Sequence, residues 1–363
     1  MKPILVLGAT GYTGERIARA LVARGADVIL AARRRPLLER LAAELEVANP
    51  VRVIDSLEQV DALLDGAGVV INTIGPFQKY GLPIVAAAIA HDLHYLDITG
   101  EQAFMQSVLN LLDGPARAHG VAVLCAQAFE YAFSYCGSAA LVEKFGAPAG
   151  IEIFYRAQGG GISHGTAQSA MGMLGERLVT FRDGRLVAMP RRWTPEHVRF
   201  PGETRINYAI PFPGGECLFI PRSLPGIKSV SGYLVTPRLA ATVGTGFMAA
   251  QRIVRGALHI PGVQGALDRA IDWAAPEPGE AAQASARFSV FIRGTGSKEI
   301  PYCLVQGQDV YGTSAQIAAQ VAQWLAAGKS RAAGVISTDQ AFGARPLLDA
   351  LAPHGVTYEL GTA

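Results

Sequence analysis

The first fourteen residues place a short apolar strand directly before a glycine-rich turn and a helix. Ile4–Leu7 is an uninterrupted apolar run, which is typical of a buried parallel strand. Gly8, Gly11 and Gly14 follow it, and residues 15–23 have helical periodicity. Glycine allows a tight turn and a close approach of the backbone to a ligand, while the N–H groups that begin the helix favour an anion. This order predicts a site for the pyrophosphate of a dinucleotide.

The end of the next strand indicates which dinucleotide the turn binds. Residues 27–32 form an apolar strand, and Arg33, Arg34 and Arg35 follow it directly. A cofactor without a 2′-phosphate normally has its ribose held by an acid at this position, and no acid is present there. A guanidinium binds a phosphate through two charge-assisted hydrogen bonds. The sequence therefore predicts NADP, with Arg33 first and Arg34 second as the residues that bind its 2′-phosphate.

Strands and helices alternate over the first 130 residues, which predicts a doubly wound parallel sheet of the Rossmann type. The further strands are predicted at 51–54, 69–72, 94–97 and 121–126, and the further helices at 37–45, 57–64, 82–91 and 102–112. Ligands of such sheets bind beyond the carboxyl ends of the strands. Besides the two arginines, the residues predicted to contact the cofactor are Gly8, Thr10, Gly11, Tyr12, Thr13, Gly14, Asp55, Asn72, Thr73, Gly75, Pro76 and Phe77.

The pattern changes near residue 149 to longer strands of an α+β domain. Strands are predicted at 151–156, 217–221 and 229–235, and an antiparallel hairpin at 286–293 and 300–306. The C-terminal part is predicted to hold helices at 314–325 and 344–351 and a strand at 356–360. We expect an NADP-binding Rossmann domain at 1–130 and an inserted α+β substrate and dimerisation domain with a mixed or antiparallel sheet at 131–330. A C-terminal segment at 331–363 is expected to pack back on the Rossmann domain.

Four residues are predicted to serve catalysis: Tyr80, Asp97, Glu130 and His164. Asp97 ends a strand at the predicted crevice, where it orients a substrate, relays a proton or caps the helix that follows Gly100. His164 lies in a glycine-rich stretch, and an exposed imidazole suits general acid work near neutral pH. Its alternative role is a loop residue hydrogen-bonded to the backbone.

The tyrosines exclude the short-chain dehydrogenase mechanism, which shares the glycine turn. That mechanism needs a lysine four residues after a tyrosine on one helix, because the lysine lowers the pKa of the phenol. None of the 11 tyrosines has such a lysine, and Tyr12 is followed by Arg16. No metal site is predicted either, since His91 and His94 are the only close histidine pair and the second lies in a predicted strand.

Ordered motifs over nearly the whole chain resemble the saccharopine dehydrogenase-like NAD(P)-binding oxidoreductases, including their trans-acting enoyl reductase branch. These motifs are GATGYTG at 8–14, GPFQKYG at 75–81, YLDITGE at 95–101, GGISHGTAQS at 160–169, DVYGTS at 309–314 and AGVIST at 333–338. The resemblance implies a Rossmann domain, an α+β substrate or dimerisation domain, and reduction of a C=N, C=O or C=C bond. It supplies no proton donor. Relatives carry an Asp and then a proline after the sixth strand, whereas this chain has Glu130 and no proline.

Composition limits the classes of partner that this chain is expected to bind. Its 363 residues allow two domains, and half of them are hydrophobic, with a mean hydropathy of +0.24. The balance of 32 basic and 30 acidic residues gives no indication of a nucleic-acid partner. The sequence predicts a cytoplasmic protein for three reasons. The four cysteines are scattered and form no CxxC pair, and the first strand leaves no room for a signal peptide. No apolar run reaches the length of about 20 residues that spans a membrane.

The sequence therefore predicts an NADPH-dependent reductase that transfers hydride to a C=C, C=O or C=N bond of a moderately apolar small molecule. A homodimer through the second domain is expected. The alternative is an NADP-binding protein without turnover, a sensor or scaffold with a peripheral membrane contact through residues 239–260.

Overall fold

The chain folds into two compact units, and each unit is built from three separate segments of the chain. The structure is a computed structural model, and it describes residues 2–54, 56, 60–159, 178–189, 194–237 and 285–363. The first unit comprises Met1–Thr99, Phe104–Ala132 and Tyr311–His354. The second unit comprises Gly100–Ala103, Phe133–Val310 and Gly355–Ala363.

The secondary structure of the described ranges alternates strands and helices in the first part and is rich in strands after residue 149. The strands are β1 Ile4–Leu7, β2 Val28–Ala32, β3 Arg52–Val53, β4 Val69–Asn72, β5 His94–Asp97, β6 Ala122–Leu124, β7 Gly150–Gln158, β8 Val179–Arg182, β9 Arg185–Ala188, β10 Glu196–Val198, β11 Asn207–Pro211, β12 Ser229–Thr236, β13 Arg287–Thr295, β14 Pro301–Gln308, β15 Gly334–Val335 and β16 Thr357–Thr362. The helices are α1 Tyr12–Ala23, α2 Arg35–Glu44, α3 Val60–Leu64, α4 Phe77–Ala90, α5 Gln102–Ala118, α6 Phe129–Phe145, α7 Glu216–Ser223, α8 Val310–Ala326, α9 Thr338–Phe342 and α10 Pro346–Ala350, followed by a 3₁₀ turn at Ala352–His354.

The first unit contains a seven-stranded sheet in the order β15-β6-β5-β4-β1-β2-β3. Every pairing in it is parallel. The side chains of β1, β2 and β4 are all buried, which explains why these strands are apolar without alternation. The strand order reverses between β1 and β4, and ligands of open α/β sheets bind at such a point. The predicted Rossmann sheet is confirmed.

The described residues of the second unit form a nine-stranded mixed sheet. Its main order is β10-β11-β12-β7-β13-β14-β16, with β8 paired to β12 and β9 paired to β8. The pair of β12 and β7 is parallel, whereas β13 pairs antiparallel with both β7 and β14. The predicted hairpin is therefore confirmed as β13 and β14, and so is the predicted mixed sheet.

The strand predicted at 217–221 is wrong, because these residues lie in the helix α7. The run Cys-Leu-Phe-Ile-Pro is apolar at every position, and Cys217, Leu218, Phe219 and Ile220 are all buried. A short apolar run without a period cannot distinguish a buried strand from a buried helix. Pro221 stands near the end of the helix, which interrupts few of its hydrogen bonds.

The C-terminal segment contributes to both sheets. β15 pairs with β6 in the first unit, in line with the expectation for this segment. β16 instead pairs antiparallel with β14 in the second unit, from Thr357 opposite Gln306 to Thr362 opposite Pro301. The expectation that the final strand packs on the Rossmann domain is therefore wrong for residues 357–362.

An aromatic cluster forms one part of the core of the second unit. Phe154 of β7 is fully buried and stacks on Tyr233 of β12, with ring centroids 4.9 Å apart. Phe291 of β13 lies on another side of it at 6.0 Å, and Phe200 packs on Phe291 at 5.2 Å. These rings join three neighbouring strands of the sheet across one face, so this cluster is expected to contribute strongly to the stability of the unit.

We expect Phe154→Ala to lower the free energy of unfolding of the second unit by about 3–5 kcal/mol, because it removes a fully buried ring and leaves a cavity. Urea denaturation followed by circular dichroism measures this change. Ile206→Ala, at a position that is 49% exposed in the same unit, is the control and should change stability by less than about 0.5 kcal/mol. Equal effects of the two variants would contradict the assignment of this cluster as core.

Candidate dinucleotide site and the acids beside it

The glycine turn between β1 and α1 has a shape that side chains would prevent. Gly8 has a φ of +84°, and a Cβ there would lie 2.5 Å from the hydroxyl oxygen of Thr73. A Cβ on Gly14 would overlap the carbonyl oxygen of Gly8 and lie 2.8 Å from the same hydroxyl. Gly8 therefore serves the turn through its backbone conformation, and Gly14 serves it through the close packing of helix on strand.

The loop after β4 holds the glycine turn from the other side. Thr73 donates its hydroxyl to the carbonyl oxygen of Leu7 at 2.8 Å, and its backbone N–H donates to the same oxygen at 2.9 Å. Asn72 is fully buried, and it accepts the N–H of Ile74 and donates to the hydroxyl of Tyr95. Both side chains are used within the protein, so they shape the loop. Direct contacts of Asn72 and Thr73 with the cofactor stay a prediction.

Three more predicted residues lie where the same loop becomes α4. Pro76 precedes the first residue of α4, Phe77, which is buried and packs on Phe104 with ring centroids 5.7 Å apart. Gly75 is exposed, and Tyr80, in the first turn of the helix, is partly exposed. Phe77 therefore anchors the helix, whereas Gly75 and Tyr80 are accessible to a ligand. Their roles in binding and catalysis are not tested by these contacts.

The turn after β2 presents two arginines without an ion pair. Arg33 and Arg34 are exposed, and neither forms an ion pair with any residue in the described ranges. Arg35 differs, because it pairs with Glu39 one helical turn later at 3.3 Å. The first two guanidinium groups are therefore open to a phosphate, while the third is already neutralised.

A cavity of about 370 Å³ lies beside the glycine turn. Its described lining residues are Thr10, Glu15, Arg19, Leu37, Arg40, Leu41 and Glu44. Arg19 pairs with both Glu15 and Glu44 at 2.8 Å, which leaves Arg40 as a further cation of this wall. Nothing in the sequence indicates Arg40 as a site residue, because a charged residue on the outer face of a helix is usually just solvated.

Asp97 ends β5 and is fully buried beside the turn that follows β6. One carboxylate oxygen, Oδ1, accepts the N–H groups of Thr99 at 3.1 Å and Ala126 at 2.8 Å, and among the described residues Oδ2 has no hydrogen-bond partner. Burial raises the pKa of Asp97 to about 6, although the two N–H groups act against this shift. Its hydrogen bonds link two loops and do not reach the first turn of α5, so they do not cap that helix.

Glu130 lies in the first turn of α6, directly after β6. Unlike Asp97, it is partly exposed. Loss of water contacts around its carboxyl group raises the pKa of Glu130 to about 7, and its own backbone N–H opposes the shift. At neutral pH about half of this group is a carboxylic acid, which suits proton donation. Asp97 and Glu130 thus lie at the ends of two neighbouring strands, β5 and β6, and the two residues differ in their exposure to solvent.

Two of the predicted site residues lie outside the described residues: Asp55 and His164. The glycine-rich motif at 160–169 and the segment 239–260 on which the membrane alternative depends lie outside them as well.

The second unit has its own buried acid, which the sequence did not indicate. Glu216 is fully buried at the start of α7, where its Oε1 accepts the N–H of Gly214 at 2.8 Å. Burial raises the pKa of Glu216 to about 7, against the hydrogen bonds of that N–H and of the Tyr155 hydroxyl. A side chain on Gly232 would overlap the carboxyl group. Gly232 also lines a cavity of about 400 Å³ in this unit, with Thr180, Ser231 and Tyr233 among its other walls.

The described ranges contain neither a metal-binding cluster nor a membrane-spanning helix. No group of three or more His, Cys, Asp or Glu side chains in these parts of the chain is arranged to hold a metal ion. No helix among the described residues is long and apolar enough to cross a membrane.

These features define a Rossmann domain for a phosphorylated dinucleotide, in a chain with a second, mixed-sheet unit. Residues 4–128 match the family model described as the saccharopine dehydrogenase NADP binding domain. The cofactor is NADP, as the basic turn after β2 predicts, and the resemblance stated from the motifs is confirmed.

The chain spans about a third of the length of the curated relatives that it matches. A trans-acting enoyl reductase of Mycobacterium leprae is 34% identical over 134 residues, and the protein of that name from Mycobacterium tuberculosis is 32% identical. Each match covers 35% of this chain and 32% of the relative. The structure of apo saccharopine dehydrogenase (L-Glu forming) from Saccharomyces cerevisiae matches 99% of this chain and 100% of that chain, with a TM-score of 0.65 at 10% identity. This last likeness shows the fold.

We expect Gly14→Ala to weaken NADPH binding more than about tenfold, because the added methyl group must displace the backbone of the turn. Fluorescence titration with NADPH measures the affinity. Gly114→Ala is the matched control, since a Cβ on this helical glycine meets nothing within 4 Å. Wild-type affinity in Gly14→Ala would show that the turn does not hold the pyrophosphate.

Proposed function

We propose that this protein is an NADPH-dependent reductase that transfers hydride to a C=C, C=O or C=N bond of a moderately apolar small molecule. The observation that carries the proposal is the juxtaposition of an NADP-binding turn with a partly exposed acid, Glu130, at the same edge of the sheet. Relatives that carry the name enoyl reductase make an α,β-unsaturated C=C bond the first candidate. NADPH bound at the turn supplies the hydride.

The 2′-phosphate of NADPH is assigned to Arg33 and Arg34. Both guanidinium groups are exposed at the end of β2, where this phosphate lies in Rossmann domains, and neither forms an ion pair with a described residue. Each hydrogen bond to a charged group contributes about 1.5–3 kcal/mol. One such contact therefore favours NADPH over NADH about tenfold or more.

Glu130 is assigned as the proton donor. Hydride addition to the β-carbon of an enoyl compound leaves an enolate, and a carboxylic acid with a pKa of about 7 delivers a proton to its α-carbon at neutral pH. The residue as a whole is partly exposed, and it follows β6 at the edge of the sheet where the cofactor turn lies. Asp97 is assigned a supporting role, since it is fully buried and joins the loops after β5 and β6 through its two N–H contacts. Tyr80 and His164 remain candidates for orienting the substrate.

A moderately apolar substrate suits the second unit. Its cavity of about 400 Å³ has a size typical of small-molecule sites and combines apolar walls, such as Pro211 and Tyr233, with the hydroxyls of Thr180 and Ser231. The buried Arg156 pairs with Glu203 at 2.7 Å, and Arg293 pairs with Glu152 at 2.7 Å. These two guanidinium groups are paired within the protein, whereas Arg182 lines the cavity itself.

The assembly and location belong to the same proposal. We propose a cytoplasmic homodimer that associates through the second unit. The alternative of an NADP-binding scaffold with a peripheral membrane contact depends on residues 239–260, and no described residue adds to it. Sedimentation of the purified protein measures the oligomeric state, and flotation with liposomes tests the membrane contact.

Arg33→Ala is expected to weaken NADPH binding about tenfold and to leave NADH binding unchanged, because it removes contacts to the 2′-phosphate only. Parallel fluorescence titrations with the two nucleotides measure this preference. Arg35→Ala, which removes a cation paired with Glu39 in the same turn, is the matched control and should retain the preference. An unchanged NADPH preference in both Arg33→Ala and Arg34→Ala would refute the assignment.

Glu130→Gln is expected to lower kcat about 100-fold, because the amide cannot donate a proton. The wild-type kcat should fall as pH rises through about 7, since the raised pKa keeps the group protonated below that value and ionised above it. The variant should lack this dependence. NADPH oxidation with crotonyl thioesters, cyclic imines and ketones measures both effects.

Glu143→Gln is the control for this experiment, since Glu143 is exposed on the same helix. A Glu130→Gln variant that keeps the wild-type rate and pH profile would remove Glu130 as the proton donor. No oxidation of NADPH with any compound of the panel would count against the reductase itself.

A further inference from the structure

The first turn of α8 contacts both the glycine turn and the turn that carries Glu130. The edge of the Tyr311 ring meets the Tyr12 ring at right angles, with centroids 5.0 Å apart. Three residues later, the hydroxyl oxygen of Ser314 accepts the N–H of Phe129 at 3.2 Å. Residues three apart lie on the same face of a helix. One face of α8 therefore contacts two loops of the first unit that are more than a hundred residues apart in the sequence.

Tyr12 is held on two sides. The guanidinium carbon of Arg16 lies 3.7 Å from the centroid of the Tyr12 ring, and Arg16 also donates to the carbonyl oxygen of Tyr12 at 3.1 Å. Tyr311 contacts the same ring edge-on, and it is itself nearly buried. Because Tyr12 is the first residue of α1, these contacts fix the end of the helix whose N–H groups face the cofactor turn.

Ser314 fixes the start of α6 in a similar way. Phe129 is the first residue of that helix, so its N–H has no acceptor within the helix. The Ser314 hydroxyl oxygen supplies the acceptor, and both residues are buried. Glu130 is the next residue in the chain, so the direction of its side chain depends on this contact.

α8 is also anchored away from these two contacts. Arg24, at the end of α1, donates to Gln316 at 2.6 Å and to Gln320 at 2.7 Å. The carbonyl oxygen of Arg24 accepts from Gln323 at 3.3 Å. These bonds hold α8 against α1 without the help of Tyr311 or Ser314, so a substitution at either position is expected to leave the helix in place.

We propose that the first turn of α8 is a positioning element of the cofactor site, in which Tyr311 orders the pyrophosphate turn through Tyr12 and Ser314 sets the position of Glu130 through Phe129. The first half depends on NADP binding alone. The second half rests on the proposed function, because it concerns the proton donor of the reductase. Neither residue is a catalytic residue, since each acts through another side chain or through the backbone.

Tyr311→Leu tests the first half. It is expected to weaken NADPH binding about 3- to 10-fold, the range that corresponds to the loss of one edge-to-face pair. Tyr311→Phe keeps the ring and loses only the hydroxyl, so it should bind NADPH with wild-type affinity. A weakened affinity in this variant would show that the hydroxyl, and not the ring, supports the turn. Trp324→Leu removes an aromatic residue that packs on Phe342 elsewhere on α8 and is the control. Equal NADPH affinity in wild type and Tyr311→Leu would overturn this half.

Ser314→Ala tests the second half by two readouts. Hydrogen exchange at residues 127–133, followed by mass spectrometry, should become faster because the N–H of Phe129 loses its acceptor. The pH at which kcat falls should also shift, because a changed position of Glu130 alters the surroundings that set its pKa. The affinity for NADPH should stay within about twofold of the wild-type value. Ser330→Ala, which removes an exposed hydroxyl of the same unit, is the control. An unchanged pH profile together with unchanged exchange would overturn this half.

The two proposals fail in different ways. If no compound is reduced by the wild-type protein, the reductase proposal fails, yet the NADPH affinities of the Tyr311 variants and the exchange at residues 127–133 still test the positioning element. If turnover is found and neither variant differs from wild type in affinity, exchange or pH profile, the positioning element fails and the reductase stands.

Discussion

The cofactor site depends on the close approach of α1 to β1, which only glycine at position 14 permits. A side chain there would overlap the carbonyl oxygen of Gly8, so the helix could not begin where its N–H groups face the turn. The loop after β4 then fits against the turn, with the hydroxyl of Thr73 bonded to the carbonyl oxygen of Leu7 at 2.8 Å. The strand order reverses between these same two strands, β1 and β4. Topology and steric fit therefore point to one place for the dinucleotide, and in our proposal the basic turn after β2 selects the phosphorylated form.

Two acids at this edge of the sheet differ because their surroundings differ. Asp97 is fully buried, and two N–H groups that bond to its carboxylate offset part of the cost of burial, so its pKa is raised only to about 6. Glu130 is partly exposed as a residue, and burial of its carboxyl group raises its pKa to about 7, against the hydrogen bond of its own backbone N–H. In the proposed reductase Glu130 donates the proton, while the hydrogen bonds of Asp97 hold the two loops beside it.

The elements that could be predicted from the sequence are those whose pattern is set by local burial. β4 and β5 agree with the predicted residues at both ends, since strands buried in a parallel sheet are apolar runs bounded by turns. The segment 217–221 has an apolar run of the same length, yet it forms part of a helix because its neighbours in the fold, and not its period, decide the outcome. Arg40 and Glu216 could not be found for a related reason: nothing in the sequence near them shows that one lines a cavity and the other is buried.

The position of Glu130 depends on residues that a local motif cannot include. The matched family segment ends at residue 128, next to the turn that carries this acid. Gln127 of that turn donates its backbone N–H to the carbonyl oxygen of Asp97 at 2.6 Å, and its side-chain oxygen accepts the hydroxyl of Thr338 at 2.8 Å. Thr338 follows β15, which pairs with β6 and completes the sheet on that side. The side-chain oxygen of Gln127 therefore finds its partner 211 positions downstream, so the turn before Glu130 is completed only when both ends of the first unit have folded together.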